Sequence, residues 1–303
     1  MRTVTVLKKS TAIKTSLGEK VFTVFNVIFT TFLCFLFLYP FLYVVFASLS
    51  NSNELLRHTG VLLWPLGFST TAYKVVFENP LIQSGYRNTL FIVVVGVCLN
   101  LVMTSLGAYF FSRKNVLFRN FFMLMVIITM LFNGGLIPFY LTVRAYNLHN
   151  SLAALIIPVA MSAFNMIIMR TYMNTIPDAL EESASIDGAN HLTILARIYI
   201  PLCVPVVAVM VLFYGVSHWN AWFNAMIFLP DRSMWPIQMV LRQILIIGST
   251  LDMTADVSTA QFQEVVESIR FATIVVSILP ILAIYPLLQK YFVKGIMIGS
   301  VKE

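Results

Sequence analysis

The sequence is short of charge, of paired cysteines and of every motif that builds a catalytic centre. Only 11% of its 303 residues are charged, against 59% hydrophobic, where a soluble domain carries about 25% charged residues. That balance excludes an ordinary soluble enzyme and predicts a chain threaded repeatedly through a bilayer. The three cysteines, Cys34, Cys98 and Cys203, lie in apolar stretches without C-x-x-C spacing. They read as buried thiols, neither a metal site nor a disulfide frame. No G-x-x-x-x-G-K-[ST] phosphate loop, H-E-x-x-H or G-x-S-x-G occurs, so no catalytic residue is assigned and the chain cannot hydrolyse ATP alone. His218 has no second ligand near it in sequence, and no metal site is expected. The formal charge of +7 invites a nucleic-acid partner, but the basic residues cluster at the ends of apolar runs, as they do in membrane proteins. No internal repeat and no low-complexity tract is present.

What is abundant is long apolar sequence. Six runs are long enough to cross about 30 Å of hydrocarbon, at 21–49, 86–111, 118–141, 151–172, 200–229 and 271–292. The first is too long for a signal peptide's apolar region and no small-residue cleavage site follows it, so it is expected to stay as a span. With the N-terminus inside, the outer segments hold Arg57, Lys74, Arg87, Arg144, Arg232, Arg242 and Arg270, and the other 13 of the 20 basic residues fall inside. That bias is the one that orients spans. The expectation is an all-α polytopic protein with six transmembrane helices and both termini cytoplasmic. It divides into an N-terminal tail (1–20), a membrane domain (21–292) with outer loops at 50–85 and 230–270, and a C-terminal tail (293–303). Asn133-Gly134-Gly135 with Pro138, then Pro158, Pro201, Pro205, Pro280 and Pro286, predict interruptions in four spans. Breaks at that depth require a protein neighbour or a water-filled cavity to satisfy the freed backbone.

The connection at 175–200 is different in kind. Pro177-Asp178-Ala179-Leu180-Glu181-Glu182-Ser183-Ala184-Ser185-Ile186-Asp187-Gly188-Ala189 is acidic and rich in small residues, and cannot lie in hydrocarbon. Thr175-x-x-Asp178 with Pro177 predicts a helix start, and Gly188 a C-cap or tight turn. A second helix is expected from about Leu192 through Arg197 into Pro201 and the fifth span. Small side chains let another surface approach the backbone closely, so the segment reads as a docking element on the cytoplasmic side.

Glu182-Ser183-Ala184, Gly188, and then Ile198-x-Ile200-Pro201 resemble the EAA loop of ABC-importer permeases. That loop reads E-A-A, three residues, G, nine residues, I-x-L-P, and Ser183 and Ile200 are mild departures. Asn133-Gly134-Gly135-Leu136-Ile137-Pro138, His218-Trp219-Asn220-x-Trp222-Phe223-Asn224 and Lys294-Gly295-Ile296-Met297-Ile298-Gly299 are similar to the branch importing oligosaccharides and complex glycans, and within it to the maltose-type second permease. The resemblance implies a multi-pass subunit in a bacterial plasma membrane. It implies a homologous second permease subunit, two cytoplasmic ATPase subunits that bind ATP and magnesium, an extracytoplasmic solute-binding protein and an oligosaccharide cargo. This chain would carry no cofactor. By the same resemblance, Ala179, Glu182, Ser183, Ala184, Asp187, Gly188 and Ala189 would dock the ATPase, and the tail 290–303 would also contact it.

A sugar path needs hydrogen-bonding groups and aromatic faces. Trp219, Asn220, Trp222 and Asn224 supply both kinds. On a continuous helix Asn220 and Asn224 would share a face, with Trp219 and Trp222 on the next stripe. Asn133 and Asn165 are further candidates, although Asn165 could instead satisfy backbone freed by Pro158. Two other functions compete. A membrane-embedded glycan-processing enzyme would use Asp252, Asp256, Glu264 and Glu267, which form no recognisable acid/base framework. An ATPase-independent transporter lacks inverted-repeat signals and leaves the acidic helix without a task.

Overall fold

The computed structural model describes residues 16–254, 267–284 and 286, and among them every regular element is helical. Three helices are each long and apolar enough to cross a membrane: α1 (Leu17–Ser48), α4 (Pro80–Ser112) and α13 (Glu267–Ile284). Three bent pairs pass the same test together. They are α5 (Arg119–Leu131) with α6 (Leu136–Ala145), the 3-10 segment Leu152–Val159 with α7 (Ala163–Met173), and α9 (His191–Leu202) with α10 (Val204–Trp219). Shorter helices are α2 (Ser52–Arg57), α3 (Thr71–Glu78), α8 (Asp178–Ile186) and α11 (Phe223–Phe228). Ile237–Thr254, α12, leads out of the segment after α11. The expected N-terminal tail falls almost wholly, and the C-terminal tail wholly, outside the described residues.

Local chemistry sets the ends. Ser16 and Glu19 form a reciprocal capping box at the start of α1, satisfying two backbone donors. Asn79 accepts from the Leu81 N–H and Pro80 occupies the first turn of α4, where its missing N–H costs nothing. The Ser162 hydroxyl caps α7 through the Asn165 N–H.

Among the described residues the interruptions fall where proline and glycine were noted, with one exception; the stretch around Pro286 lies outside them. Asn133-Gly134-Gly135 separates α5 from α6, and the two axes differ by 114°. A 48° bend follows Pro158. Pro201 and Pro205 each lack an N–H and crowd the carbonyl four residues back. The chain answers with a π-turn at Leu195–Tyr199 and an 87° bend at Cys203. The helix expected to run on from Leu192 into the fifth span therefore lies nearly perpendicular to it. The exception is Pro280, through which α13 continues unbroken. The carbonyl it leaves free, on Val276, accepts from the Tyr86 hydroxyl, and the next, on Ser277, accepts from Trp219 Nε1 at 3.1 Å.

Two apolar clusters hold the bundle, and α4 runs through both. At one end Ile82 and Ile92 pack with Phe228, Trp235, Ile237 and Ala272. At the other Ala108, Tyr109 and Phe111 pack with Met166, Met169, Tyr199 and Met210. Between them the side chains are polar. His218 Nε2 lies 2.7 Å from Asn100 Oδ1, and Asn100 Nδ2 donates to the Val159 carbonyl at 2.6 Å. Tyr214 hydrogen-bonds Thr104 at 2.7 Å and accepts from the Ser162 N–H at 3.1 Å. The backbone freed by the break in the fourth span is thus met by α4 and α10, and not by Asn165. Helix α1 stands apart, buried only at Ala47 and Ser48. Of the cysteines only Cys203 is buried; Cys34 and Cys98 lie on outward faces of α1 and α4, correcting the reading of all three as buried.

Candidate functional site

Helix α8 stands off the bundle with none of its residues buried. Its first turn carries Asp178 and Glu181, where negative charge suits the helix N-terminus. The expected capping by Thr175 does not form: Pro177 is the N-cap without a side-chain bond, and the Thr175 hydroxyl donates instead to the Tyr172 carbonyl. The other end is closed by two reverse bonds. Ala189 N–H reaches the Ala184 carbonyl at 2.9 Å and Gly188 N–H the Ser185 carbonyl at 3.1 Å, with Gly188 at φ +83°. This is the Schellman arrangement, which places its left-handed residue where glycine is least strained.

What holds α8 to the spans is a charge cluster at the end of α4. Arg113 is ion-paired with Glu181, both side chains being less than one-fifth exposed. The hydroxyls of Tyr109 and Tyr199 donate to the two Glu181 carboxylate oxygens, each at 3.4 Å. The Arg113 guanidinium lies over both rings, 4.9 Å from the Tyr109 centroid and 4.5 Å from that of Tyr199. One turn earlier Lys114 Nζ lies 2.5 Å from Asp178 Oδ2, and its ammonium holds that carboxyl below the usual carboxylate range. A cavity of about 1040 Å³ opens between α8 and the end of α4, lined by Phe110, Arg113, Glu182, Ser185, Ile186 and His191.

The docking candidates divide by exposure. Ala179, Glu182, Ser183, Asp187 and Gly188 face outward, whereas Ala184 and Ala189 are half-buried against the cluster that holds Tyr109 and Tyr199. Sequence reasoning missed Glu181 as the anchor, since its partner Arg113 is remote along the chain. It also passed over Ile186, 87% exposed, and Leu180, 43% exposed, whose apolar character at the surface of a polar helix was a readable signal.

The path candidates are not brought together as the helical reading required. Helix α10 ends at Trp219, and the chain turns at Asn220 before α11 begins at Phe223. Asn220 and Asn224 therefore share no helix face. Trp219 is buried, with its indole edge toward Tyr86 and its N–H on the Ser277 carbonyl. That is packing around a proline. Asn165 is buried at the start of α7. Asn133 is exposed, its Oδ1 accepting from the Gly135 N–H at 2.9 Å. Asn220 is exposed and Asn224 half-buried. Trp222 is 36% exposed and carries the guanidinium of Arg242 4.2 Å above its ring.

Comparison with known proteins places this geometry. Residues 103–298 match the family described as binding-protein-dependent transport system inner membrane component. The chain is 40% identical over 265 residues to the polygalacturonan/rhamnogalacturonan transport system permease protein YtcP of Bacillus subtilis (strain 168), covering 87% of this chain and 92% of that protein. It is also 40% identical to protein LplC of the same organism, over 93% and 95% of the two chains. Among solved structures it matches a chain of a bacterial ABC transporter involved in the import of the acidic polysaccharide alginate. The TM-score is 0.84 at 32% identity, over 92% of this chain and 99% of that one.

Proposed function

The chain belongs to the family of binding-protein-dependent transport system inner membrane components, and on that premise we propose that it is one permease subunit of an ATP-driven importer of acidic oligosaccharides. Polygalacturonan/rhamnogalacturonan and alginate, named for relatives 40% and 32% identical to this chain, favour sugars that bear carboxylates over the arabinooligosaccharides and lactose named for relatives 24–27% identical. The chain crosses the membrane six times, each bent pair counting as one span, with both termini in the cytoplasm. ATP and magnesium bind to two ATPase subunits and not to this chain. A homologous second permease completes the path, and the exposed length of α1 offers one surface for it. A solute-binding protein delivers cargo from outside.

The observation that carries this reading is α8. It is a short helix with no fully buried residue, closed by a glycine turn and tied to the end of α4 through Glu181 and Arg113. Such an element presents a surface to a partner and is rigidly joined to the spans. Movement of the ATPase subunits would displace α8, and the cluster around Glu181 would pass that displacement to α4 and α9. Two access states about a central path follow, as alternating access requires.

The test is reconstitution of the assembled complex with its binding protein, scored by ATPase stimulation across a panel of saccharides. Stimulation by oligouronates is the expected result. Stimulation by peptides or lipids with none from any saccharide overturns the assignment.

A further inference from the structure

In the segment 222–242, two arginines sit on tryptophan faces. Arg232 lies 5.6 Å from the Trp235 ring centroid, and Arg242 lies 4.2 Å from that of Trp222. Neither has a carboxylate partner among the described residues. Arg242 is the better held. It is half-buried, and its one hydrogen-bond contact is Nη1 on the Met226 sulfur, 2.8 Å away, a weak acceptor. A guanidinium has five donors in a planar fork that fits a carboxylate through two parallel bonds. Stacking on indole fixes the plane while leaving the edge donors free.

The setting fits a sugar acid. Asn220 and Asn224, on the turn and first residues that flank Trp222, carry amides that can donate to and accept from hydroxyls. A neutral sugar gives the guanidinium no charge to meet, whereas each residue of an oligouronate brings one carboxylate. We infer that Arg242, positioned by Trp222, is the cargo-carboxylate contact of this subunit and determines its preference for uronate oligomers over neutral ones. Trp222 then supports the arginine, with its other contact an edge-on Phe223 at 5.6 Å, and is not itself the sugar platform. The inference rests on the importer reading, and its test is arranged to fail separately from it.

The experiment uses the assembled complex in proteoliposomes with its binding protein and an oligogalacturonate as the probe. Arg242→Met keeps the apolar contact with Trp222, and Arg242→Lys keeps charge without the fork. Loss of a charge-assisted pair at a half-exposed site lowers uptake at subsaturating cargo about tenfold. Arg242→Met is expected to show that loss with normal assembly, Arg242→Lys an intermediate rate, and Arg57→Gln no change. Wild-type uptake by Arg242→Met overturns the inference while leaving the importer reading intact. Equal loss in Met and Lys variants together with poor subunit recovery also overturns it, because the side chain is then structural. If no saccharide stimulates the unaltered complex, both readings fall.

Discussion

Replacing Gly188 separates what its backbone does from what its missing side chain permits. The residue sits at φ +83°, where an L side chain costs about 1–2 kcal/mol. Asparagine tolerates this region better than alanine, and is the usual second choice at such a turn. A Cβ built at Gly188 meets nothing within 4 Å, so no clash inside the subunit adds to the conformational term. Stability should therefore run Gly ≈ Asn > Ala ≈ Arg, with a total spread of about 2 kcal/mol. Coupling to the ATPase should follow size, Gly > Ala ≈ Asn ≫ Arg, since the cost arises where a partner surface approaches the turn. Melting of the purified subunit gives the first order. Cargo-stimulated ATP hydrolysis in the reconstituted complex gives the second. If hydrolysis follows the stability order, with asparagine normal and alanine impaired, Gly188 only shapes the turn. Normal stimulated hydrolysis in all three variants refutes α8 as the docking element.

Three further changes probe the scaffold. Arg113→Gln and Glu181→Gln should each cost about 1–3 kcal/mol, and the double variant should cost clearly less than both together. Additive losses in thermal unfolding would show that the pair is not coupled. Gly96→Ala places a Cβ 2.5 Å from His218 Nε2, and should destabilise by about 1–3 kcal/mol through overpacking. Gly215→Ala, which meets nothing within 4 Å, should be neutral or stabilising by up to about 1 kcal/mol; equal melting temperatures for these two variants would argue against the close packing of the His218 ring on Gly96. The Asp178 carboxyl is depressed by Lys114, so its contribution is present above the unfolded carboxylate pKa and lost as pH falls through the folded one. Melting profiles should show an acid-dependent loss in the wild type that Asp178→Asn lacks, and superimposable profiles would contradict the pairing.

The helical class and the location of most breaks were readable because membrane spans announce themselves by length and proline by its missing N–H. Gly188 was readable for the same reason, as a residue whose conformation only a few types adopt. Topology and orientation were argued from charge at span ends; Arg113 and Lys114, two of those charges, lie beside α8. What sequence could not supply was long-range partnership. Trp219 looked like a sugar contact because indole is commonly one, yet its N–H goes to a carbonyl next to the one released by Pro280. Asn100, a lone amide in a run of valine and leucine, signalled an inward face but not its partners, His218 and the broken fourth span. The helical spacing of Asn220 and Asn224 failed for a local reason: α10 ends before them.

These buried polar groups explain how one helix can serve both ends of the molecule. Helix α4 has 33 residues, a length of about 50 Å, and carries no break. Near its N-terminus Asn88 donates to the Ser233 carbonyl at 2.8 Å, and the Thr89 hydroxyl accepts from the Ile237 N–H at 2.8 Å. Midway Asn100 and Thr104 grip α10 and the 3-10 segment, and at its end Tyr109 and Arg113 hold α8. The neighbouring spans are bent by 48° and 87°, whereas α4 runs unbroken. The segment that carries Arg232 and Arg242 and the helix α8 are thus joined through one unbroken helix. The proposed docking helix and the proposed cargo contact therefore lie at opposite ends of it.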